Sequence, residues 1–151
     1  MGLDMYLTAK RYVWKHNGSD SSLQDGLQKV MKKEMADLDF DVKEVAIDAM
    51  YWRKANAIHK WFVEHCQDGV DDCREYWVDS VQLEALVKDC YSALENEGKA
   101  SDVLPTKSGF FFGSTDYDEW YFRDLKETIK GLEKVLKLDS NKWDFYYRSS
   151  W

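Results

Sequence analysis

The chain has 151 residues, of which 44% are hydrophobic and 32% are charged, a balance typical of a soluble globular protein. Its 28 acidic and 21 basic residues give a net charge of −7, which disfavours a broad surface for duplex DNA or anionic lipid. No apolar run approaches the roughly 18 residues that a membrane-spanning helix needs. The length predicts one domain over residues 1–151, with a core that needs no covalent or metal cross-link.

The three cysteines, and the lack of a secretion signal at the start of the chain, predict reduced thiols in a cytoplasm. Cys66 and Cys90 fall within helical apolar patterns, where a cysteine is most often a small core residue. Zinc is the alternative, because His59, His65 and Cys73 lie near Cys66, but neither a Cys-x-x-Cys nor a His-Glu-x-x-His spacing is present. The sequence therefore predicts no resident metal and no cofactor.

The first part of the chain predicts a strand, a helix and a second strand. Residues 4–14 alternate, with Met5, Leu7 and Ala9 on one face, and the polar stretch 16–22 contains an Asn-Gly pair typical of a tight turn. Residues 23–38 have apolar side chains at helical spacing. Residues 39–50 favour a strand whose alternation slips at Lys43 and Glu44, where a bulge would restore it.

Residues 51–67 form the most informative stretch, and their periodicity predicts one helix. Trp52, Asn56 and His59 fall at the margin of its apolar face, where a pocket wall obtains both contact area and hydrogen bonds. The alternative is that Trp52 and His59 are ordinary core residues with bonded nitrogens. The predicted buried arc consists of Tyr51, Ala55, Ile58, Phe62 and Cys66.

The middle of the chain predicts a loop, a brief strand and a helix. Gly69 suits a left-handed cap after the first helix, and the aspartates of residues 68–72 fit a solvated loop better than a calcium site. Residues 75–79 favour a short strand, after which Asp79 and Gln82 resemble a capping box that opens a helix to about residue 96. The predicted buried side of that helix is Val81, Leu86, Val87, Cys90 and Leu94.

The last part of the chain follows a connector at residues 99–107. The three phenylalanines of residues 110–112 lie between two glycines and predict a short buried strand, and Thr115 with Asp118 is a plausible capping pair for a helix over 117–138. Residues 142–151 alternate and predict a terminal strand. The sum is an α+β fold, a single compact domain in which three to four helices are packed on a small, mostly antiparallel sheet.

No catalytic signature is present: the chain lacks a Gly-x-Ser-x-Gly elbow, a phosphate loop, a dinucleotide fingerprint and a deaminase motif. A hydrolase built from His59 with Asp71, Asp72 or Asp116 stays open as an alternative. Aromatic residues make up 15% of the chain, more than a core of this size needs, and they favour stacking surfaces and interfaces.

Five segments carry a resemblance to a known family. These are GLDMYL at residues 2–7, YWRKANAIHKWFV at 51–63, DGVDDC at 68–73, LPTKSGFFFGSTDYDEWY at 104–121 and the terminal SSW. Together they resemble, nearly from end to end, a widespread group of small bacteriophage proteins, and specifically the phage anti-CBASS sponges. The resemblance implies an immune-evasion protein, acting in the cytoplasm of the infected bacterium, that sequesters cyclic nucleotide signals without cleaving them. It also implies a homo-oligomer, with a tetramer favoured.

The chemistry of the matching segments then assigns the ligand-binding residues. Bases of a cyclic dinucleotide such as cyclic GMP–AMP would stack on Tyr51, Trp52, Phe112 or Trp120. Phosphates would contact Arg53, Lys54 and the amides of Ser114 and Thr115, while Asn56 and His59 would read base edges. No duplex nucleic acid, no membrane and no catalytic residue is expected. A nucleotide hydrolase and an inhibitor of a host protein are the two alternatives.

Overall fold

The computed structural model describes residues 2–14, 16, 18–35 and 40–151. Within them, five α-helices and four strands form an α+β fold, so the predicted fold class is confirmed. None of the helices in these ranges has both the length and the apolar character needed to cross a membrane. In chain order the elements are β1 Asp4–Tyr12, α1 Ser21–Met35, β2 Glu44–Arg53, α2 Asn56–Cys66, β3 Tyr76–Val78, α3 Ser80–Glu95, α4 Ala100–Val103, α5 Glu119–Val135 and β4 Asp144–Ser150.

The four strands form one antiparallel sheet in the order β2-β1-β4-β3, with β1 paired on both sides. The predicted alternation of β1 is confirmed, because Met5, Leu7 and Ala9 are buried while the intervening side chains lie on the other face. The predicted bulge at Lys43 and Glu44 is wrong. The register of β1 and β2 slips further along, where Leu7 pairs with Met50 and Thr8 with Asp48.

One face of the sheet is covered by helices, and the main core lies between them. Phe62 of α2 stacks on Tyr147 of β4, with ring centroids 3.9 Å apart and planes 9° apart. Leu83 and Leu86 of α3 are fully buried, and α3 packs against α5. The opposite face of the sheet carries exposed aromatic side chains, including Trp77.

Two predicted helices are confirmed with small changes. Asp79 and Gln82 make the predicted capping box at the start of α3, although Val81 is exposed and Leu83 occupies the core position instead. Helix α5 buries most of the predicted face, but it begins at Glu119, because Asp118 itself is the N-cap and Thr115 has no part in it. The buried residues of α5 are Tyr121, Leu125, Thr128, Ile129, Leu132 and Val135.

The single helix predicted over residues 51–67 is wrong in its first turn. Residues 51–53 end β2, where Trp52 faces the core and its neighbours Tyr51 and Arg53 face solvent. Lys54 then adopts a left-handed conformation with φ of 59°, which turns the chain into α2. Tyr51 is therefore exposed rather than part of the buried arc.

The strand predicted for the three phenylalanines is also wrong. Phe110 is 95% exposed, and Phe112 is buried after a turn in which its N–H donates to the Gly109 carbonyl. The segment is a loop because the Asn56 side chain and the N–H of Leu3, which precedes β1, bond its carbonyls in place of a neighbouring strand. Two further predictions, the Asn-Gly turn at Asn17 and the element boundaries near residues 38 and 39, lie outside the described residues.

Candidate functional site

A groove of about 270 Å³ lies between the β2–α2 corner, the loop at residues 106–118 and the first turns of α5, and we call it the α5 groove. Its lining combines basic, acidic, aromatic and apolar side chains, a mixture typical of small-molecule sites. The basic residues are Arg53, Lys54 and Arg123, the acidic ones are Asp116, Asp118 and Asp124, and Trp120 and Tyr121 are the aromatic ones.

The β2–α2 corner holds two cations at one side of the groove. The Lys54 N–H donates to the Leu3 carbonyl at 2.8 Å, and the Asn56 N–H donates to the Lys54 carbonyl at 2.8 Å, so the left-handed turn is held by backbone hydrogen bonds. Arg53 is 63% exposed and lies 3.9 Å from a carboxylate oxygen of Asp4. The Lys54 ammonium has no hydrogen-bond or ion-pair partner in the described part of the chain. Both charges are therefore available to an anionic ligand.

Asn56 fixes the loop that forms the opposite wall. Its Nδ2 donates to the carbonyls of Phe112 and Ser114 at 3.0 and 2.7 Å, and its Oδ1 accepts from the Lys107 N–H at 3.0 Å. Every polar atom of the amide is thus already hydrogen-bonded. Asn56 lines the groove, but its side chain would read a base edge only by giving up bonds to the loop.

Gly113 lets this loop approach the corner closely. Its φ of +85° lies in the left-handed region that favours glycine. A Cβ at this position would also lie 3.3 Å from the Cβ of Lys54. The width of the groove at this point therefore depends on the absence of a side chain.

The first turns of α5 supply the third wall. The Asp118 carboxylate caps the helix by accepting from the N–H groups of Trp120 and Tyr121 at 3.0 and 3.1 Å. The Trp120 side chain is 55% exposed, and the guanidinium carbon of Arg123 lies 4.2 Å from the centroid of its ring. Asp124 follows one helical turn after Trp120 and faces the same groove.

The three carboxylates of the groove differ in their partners. Asp118 is the helix cap, and Asp116 accepts from the Ser114 hydroxyl at 3.0 Å. The Asp124 carboxylate accepts no hydrogen bond within the described residues, and only the backbone carbonyl of Asp124 accepts from the Thr128 hydroxyl, at 2.7 Å. Burial raises the pKa of Asp124 to about 6, with Glu127 and Asp118 acting in the same direction and Arg123 against it.

A second polar cluster lies behind the loop, and we call it the His59 network. The Nδ1 of His59 is 2.8 Å from the Tyr147 hydroxyl, and its Nε2 is 3.1 Å from both carboxylate oxygens of Asp71. Asp71 also accepts from the Lys107 ammonium at 2.7 Å and from the Trp151 indole N–H at 3.0 Å. His59 has no exposed surface, so its ring is closed to a substrate in solution.

Burial and charge act in opposite directions within the His59 network. Burial lowers the pKa of His59 below its usual value, although the Asp71 carboxylate opposes the shift. Burial disfavours ionisation of Asp71, but hydrogen bonds and charges from Lys107 and His59 outweigh it and hold the pKa of that carboxyl below its usual range. Near neutral pH the network therefore joins a neutral imidazole to an ionised carboxylate.

The α5 groove brings together half of the residues that the sequence singled out for ligand binding. The others lie outside its lining. Trp52 is buried and donates its Nε1–H to the Thr128 hydroxyl at 2.8 Å. Trp52 and His59 are therefore core residues with bonded nitrogens, which is the alternative that the sequence left open for them. The predicted residues that line the groove are Arg53, Lys54, Asn56, Ser114 and Trp120, and those that do not are Tyr51, Trp52, His59, Phe112 and Thr115.

The other three predicted residues that do not line the groove are Tyr51, Phe112 and Thr115, and they lie in three different parts of the structure. Tyr51 lies on the uncovered face of the sheet, where its hydroxyl donates to Asp4. Phe112 is buried and its ring is nearly perpendicular to that of His59, at a centroid distance of 5.2 Å. Thr115 is exposed, and its carbonyl accepts from the Thr106 hydroxyl at 3.0 Å.

The sequence reasoning missed Arg123 and Asp124. They follow Trp120 at spacings of three and four residues and so share one side of α5 with it. That spacing is the signal that could have found them. Among the described residues, no group of three or more His, Cys, Asp or Glu side chains could hold a metal ion.

Comparison of the chain with protein-family models, with curated proteins and with solved structures gives no match.

Proposed function

We propose that the protein binds cyclic nucleotide second messengers, cyclic dinucleotides such as cyclic GMP–AMP, in the α5 groove and sequesters them without cleavage. The observation that carries this proposal is the exposed indole of Trp120 in one groove with three cationic side chains, Arg53, Lys54 and Arg123. The resemblance of five segments to phage anti-CBASS sponges supports the same ligand class. It also gives the biological role, immune evasion in the cytoplasm of an infected bacterium.

Trp120 is the stacking surface of this proposal. Its ring is half exposed although it lines a concave site, and Arg123 stacks over it. A nucleobase stacked on an aromatic side chain contributes roughly 1–3 kcal/mol to binding. One base on Trp120 therefore supplies a substantial part of the affinity that a sponge requires.

The charges of the groove suit a phosphodiester better than a polyphosphate. Arg53, Lys54 and Arg123 attract phosphate, but three carboxylates line the same space. A cyclic dinucleotide brings one negative charge per phosphodiester, whereas a nucleoside triphosphate concentrates several charges at one end. The near balance of charge in the groove favours the first ligand.

The size of the groove connects this proposal to an oligomer. A volume of about 270 Å³ is at the lower limit of the roughly 300–1,000 Å³ found for sites of drug-sized ligands. It would hold one nucleotide unit, and the other unit of a cyclic dinucleotide would extend beyond it. A second copy of the chain would enclose the exposed part of the ligand, in agreement with the homo-oligomer, favoured as a tetramer, that the resemblance implies.

A nucleotide hydrolase is the second candidate, and Asp124 is the observation that favours it. A carboxyl group with a pKa of about 6 in a ligand groove exchanges a proton near neutral pH, as a general acid or base must. Sequestration and hydrolysis predict the same binding site but different products, so one experiment separates them.

The protein should be incubated with a panel of cyclic di- and trinucleotides, the depletion of free ligand measured, and the complex then denatured by heat to release what was bound. Sequestration predicts depletion followed by recovery of intact ligand. Recovery of linear or smaller products would replace the proposal by the hydrolase. If no nucleotide is depleted, the proposal is overturned and inhibition of a host protein becomes the leading alternative.

A matched pair of charge variants shows whether the α5 groove is the site. The double variant Arg53→Gln, Lys54→Gln removes two cations from the groove, and Lys126→Gln, Lys130→Gln removes two from exposed positions of α5 outside it. Both change the net charge by the same amount. We expect depletion to fail only in the first variant, and equal losses in both would mean that long-range attraction, not this groove, holds the ligand.

A further inference from the structure

Asp124 is the one carboxylate of the α5 groove whose oxygens are not used by the fold. Asp118 caps the helix and Asp116 accepts from Ser114, whereas the Asp124 carboxylate has neither a hydrogen bond nor an ion pair within the described ranges. The residue is also partly buried, and this burial raises the pKa of its carboxyl, so the ionised form is less well hydrated than that of an exposed carboxylate. A partly buried acceptor without a partner is costly unless something else supplies the donors.

The position of Asp124 relative to Trp120 indicates what those donors are. Residues four apart lie on the same side of a helix, about 5–6 Å between their Cβ atoms. A base stacked on the Trp120 ring would therefore direct one edge towards the Asp124 carboxylate, because both side chains line the same groove.

The chemistry of the base edge then distinguishes the purines. An ionised carboxylate only accepts hydrogen bonds, and it presents two oxygens side by side. Guanine offers two adjacent donors, N1–H and the N2 amino group, which match these oxygens. Adenine offers an acceptor at N1 beside its N6 amino group, so one carboxylate oxygen would face a lone pair. A cationic ligand is a poorer fit, because Arg53, Lys54 and Arg123 line the same space.

We propose that Asp124 selects guanine over adenine in the α5 groove, by accepting hydrogen bonds from the Watson–Crick edge of a base stacked on Trp120. This inference rests on the proposed function and narrows its ligands to cyclic dinucleotides that contain guanine. Asp124 is a specificity-determining residue in this scheme and has no role in bond cleavage.

The test is the affinity of the wild-type protein and of Asp124→Asn for cyclic di-GMP and cyclic di-AMP at pH 8, where a carboxyl of pKa about 6 is ionised. The wild-type protein should prefer cyclic di-GMP by about tenfold or more, since hydrogen bonds to a charged group are the strong ones. Asp124→Asn keeps the shape of the side chain and should lose that preference, mainly through weaker binding of cyclic di-GMP. Circular dichroism and thermal unfolding verify that the variant is folded.

Glu119→Gln is the matched control. It also removes one negative charge from the start of α5, but the side chain is exposed and does not line the groove. The preference for guanine should be the same in this variant as in the wild-type protein.

Three outcomes overturn the inference: equal affinities of the wild-type protein for the two ligands, a preference for cyclic di-AMP, or an undiminished preference for guanine in Asp124→Asn. In each of them the proposed function stands, since a cyclic dinucleotide is still bound. If neither ligand binds, the inference fails, and the wider nucleotide panel then shows whether the proposed function fails with it.

Discussion

The α5 groove and the His59 network use the same segments of chain in opposite ways. Helix α2 and the loop at 106–118 contribute to both, and both combine aromatic, basic and acidic side chains. In the network, both nitrogens of His59 and both oxygens of Asp71 are hydrogen-bonded. In the groove, the side chains of Lys54 and Asp124 have no hydrogen bond within the described chain. Satisfied polar groups hold a fold together, whereas unsatisfied ones at a concave surface are available to a ligand.

The largest expected effect comes from opening the His59 network. His59→Ala leaves a cavity and removes the partner of the Tyr147 hydroxyl, so we expect the free energy of unfolding to fall by about 3 kcal/mol. Urea unfolding followed by circular dichroism measures the change. Trp120→Ala, in which a half-exposed side chain is truncated, should cost at most about 1 kcal/mol. Similar losses of unfolding free energy in the two variants would mean that the His59 network does not stabilise the fold more than the α5 groove does.

The next effect concerns binding rather than stability. Trp120→Ala should weaken the binding of a cyclic dinucleotide by roughly 5- to 150-fold, the equivalent of 1–3 kcal/mol for one stacked base. Trp77→Ala is the matched control, since the two indoles are 55% and 54% exposed but Trp77 lies on β3 outside the groove. Isothermal titration calorimetry on both variants gives the comparison. A loss of affinity in Trp77→Ala alone would mean that the ligand binds on the uncovered face of the sheet and not in the α5 groove.

A pair of glycine substitutions compares the groove wall with an open surface. Gly113→Ala places a Cβ at positive φ and 3.3 Å from the Lys54 Cβ, which should destabilise the protein by about 1 kcal/mol. Gly26→Ala in α1 meets no atom within 4 Å and should stabilise it by up to about 1 kcal/mol. Thermal unfolding of the two variants should therefore shift in opposite directions. If the unfolding temperatures of both variants shift in the same direction, the positive φ at residue 113 does not require glycine.

The elements that were predictable are those in which one periodicity decides burial. Every second residue of β1 from Met5 to Ala9 is buried, and the buried residues of α5 repeat at helical spacing, so the sequence pattern and the packing agree. The break at Lys54 was not predictable, because a long-range backbone bond to Leu3 stabilises a conformation that lysine rarely adopts. Phe110–Phe112 are strongly apolar, yet the Asn56 side chain holds this segment as a loop.

The groove was predictable only in part, for a related reason. Arg53 and Trp120 belong to conspicuous aromatic and basic segments, so sequence reasoning found them. Arg123 and Asp124 belong to the polar face of an amphipathic helix, which on sequence alone is typical of a solvent-exposed surface. Their spacing from Trp120 places them on its side of the helix, but only the packing of α5 beside the β2–α2 corner encloses that side as a groove.

The smallest expected effect is the pH dependence that separates the two clusters. For Asp124 the pKa is raised to about 6 in the folded protein, so the folded state binds a proton more tightly than the unfolded state and loses stability as the pH rises from about 4 to 6. The lowered pKa values of His59 and Asp71 act the other way, because each destabilises the folded state as the pH falls through its own titration range.

Asp124→Asn should therefore be more stable than the wild-type protein at pH 8, by about 1 kcal/mol after allowance for solvent screening. Near pH 4 the difference should disappear, and thermal unfolding of both proteins at the two pH values measures it. An equal gain at both would show that the amide improves packing and that the ionisation of Asp124 costs the fold nothing.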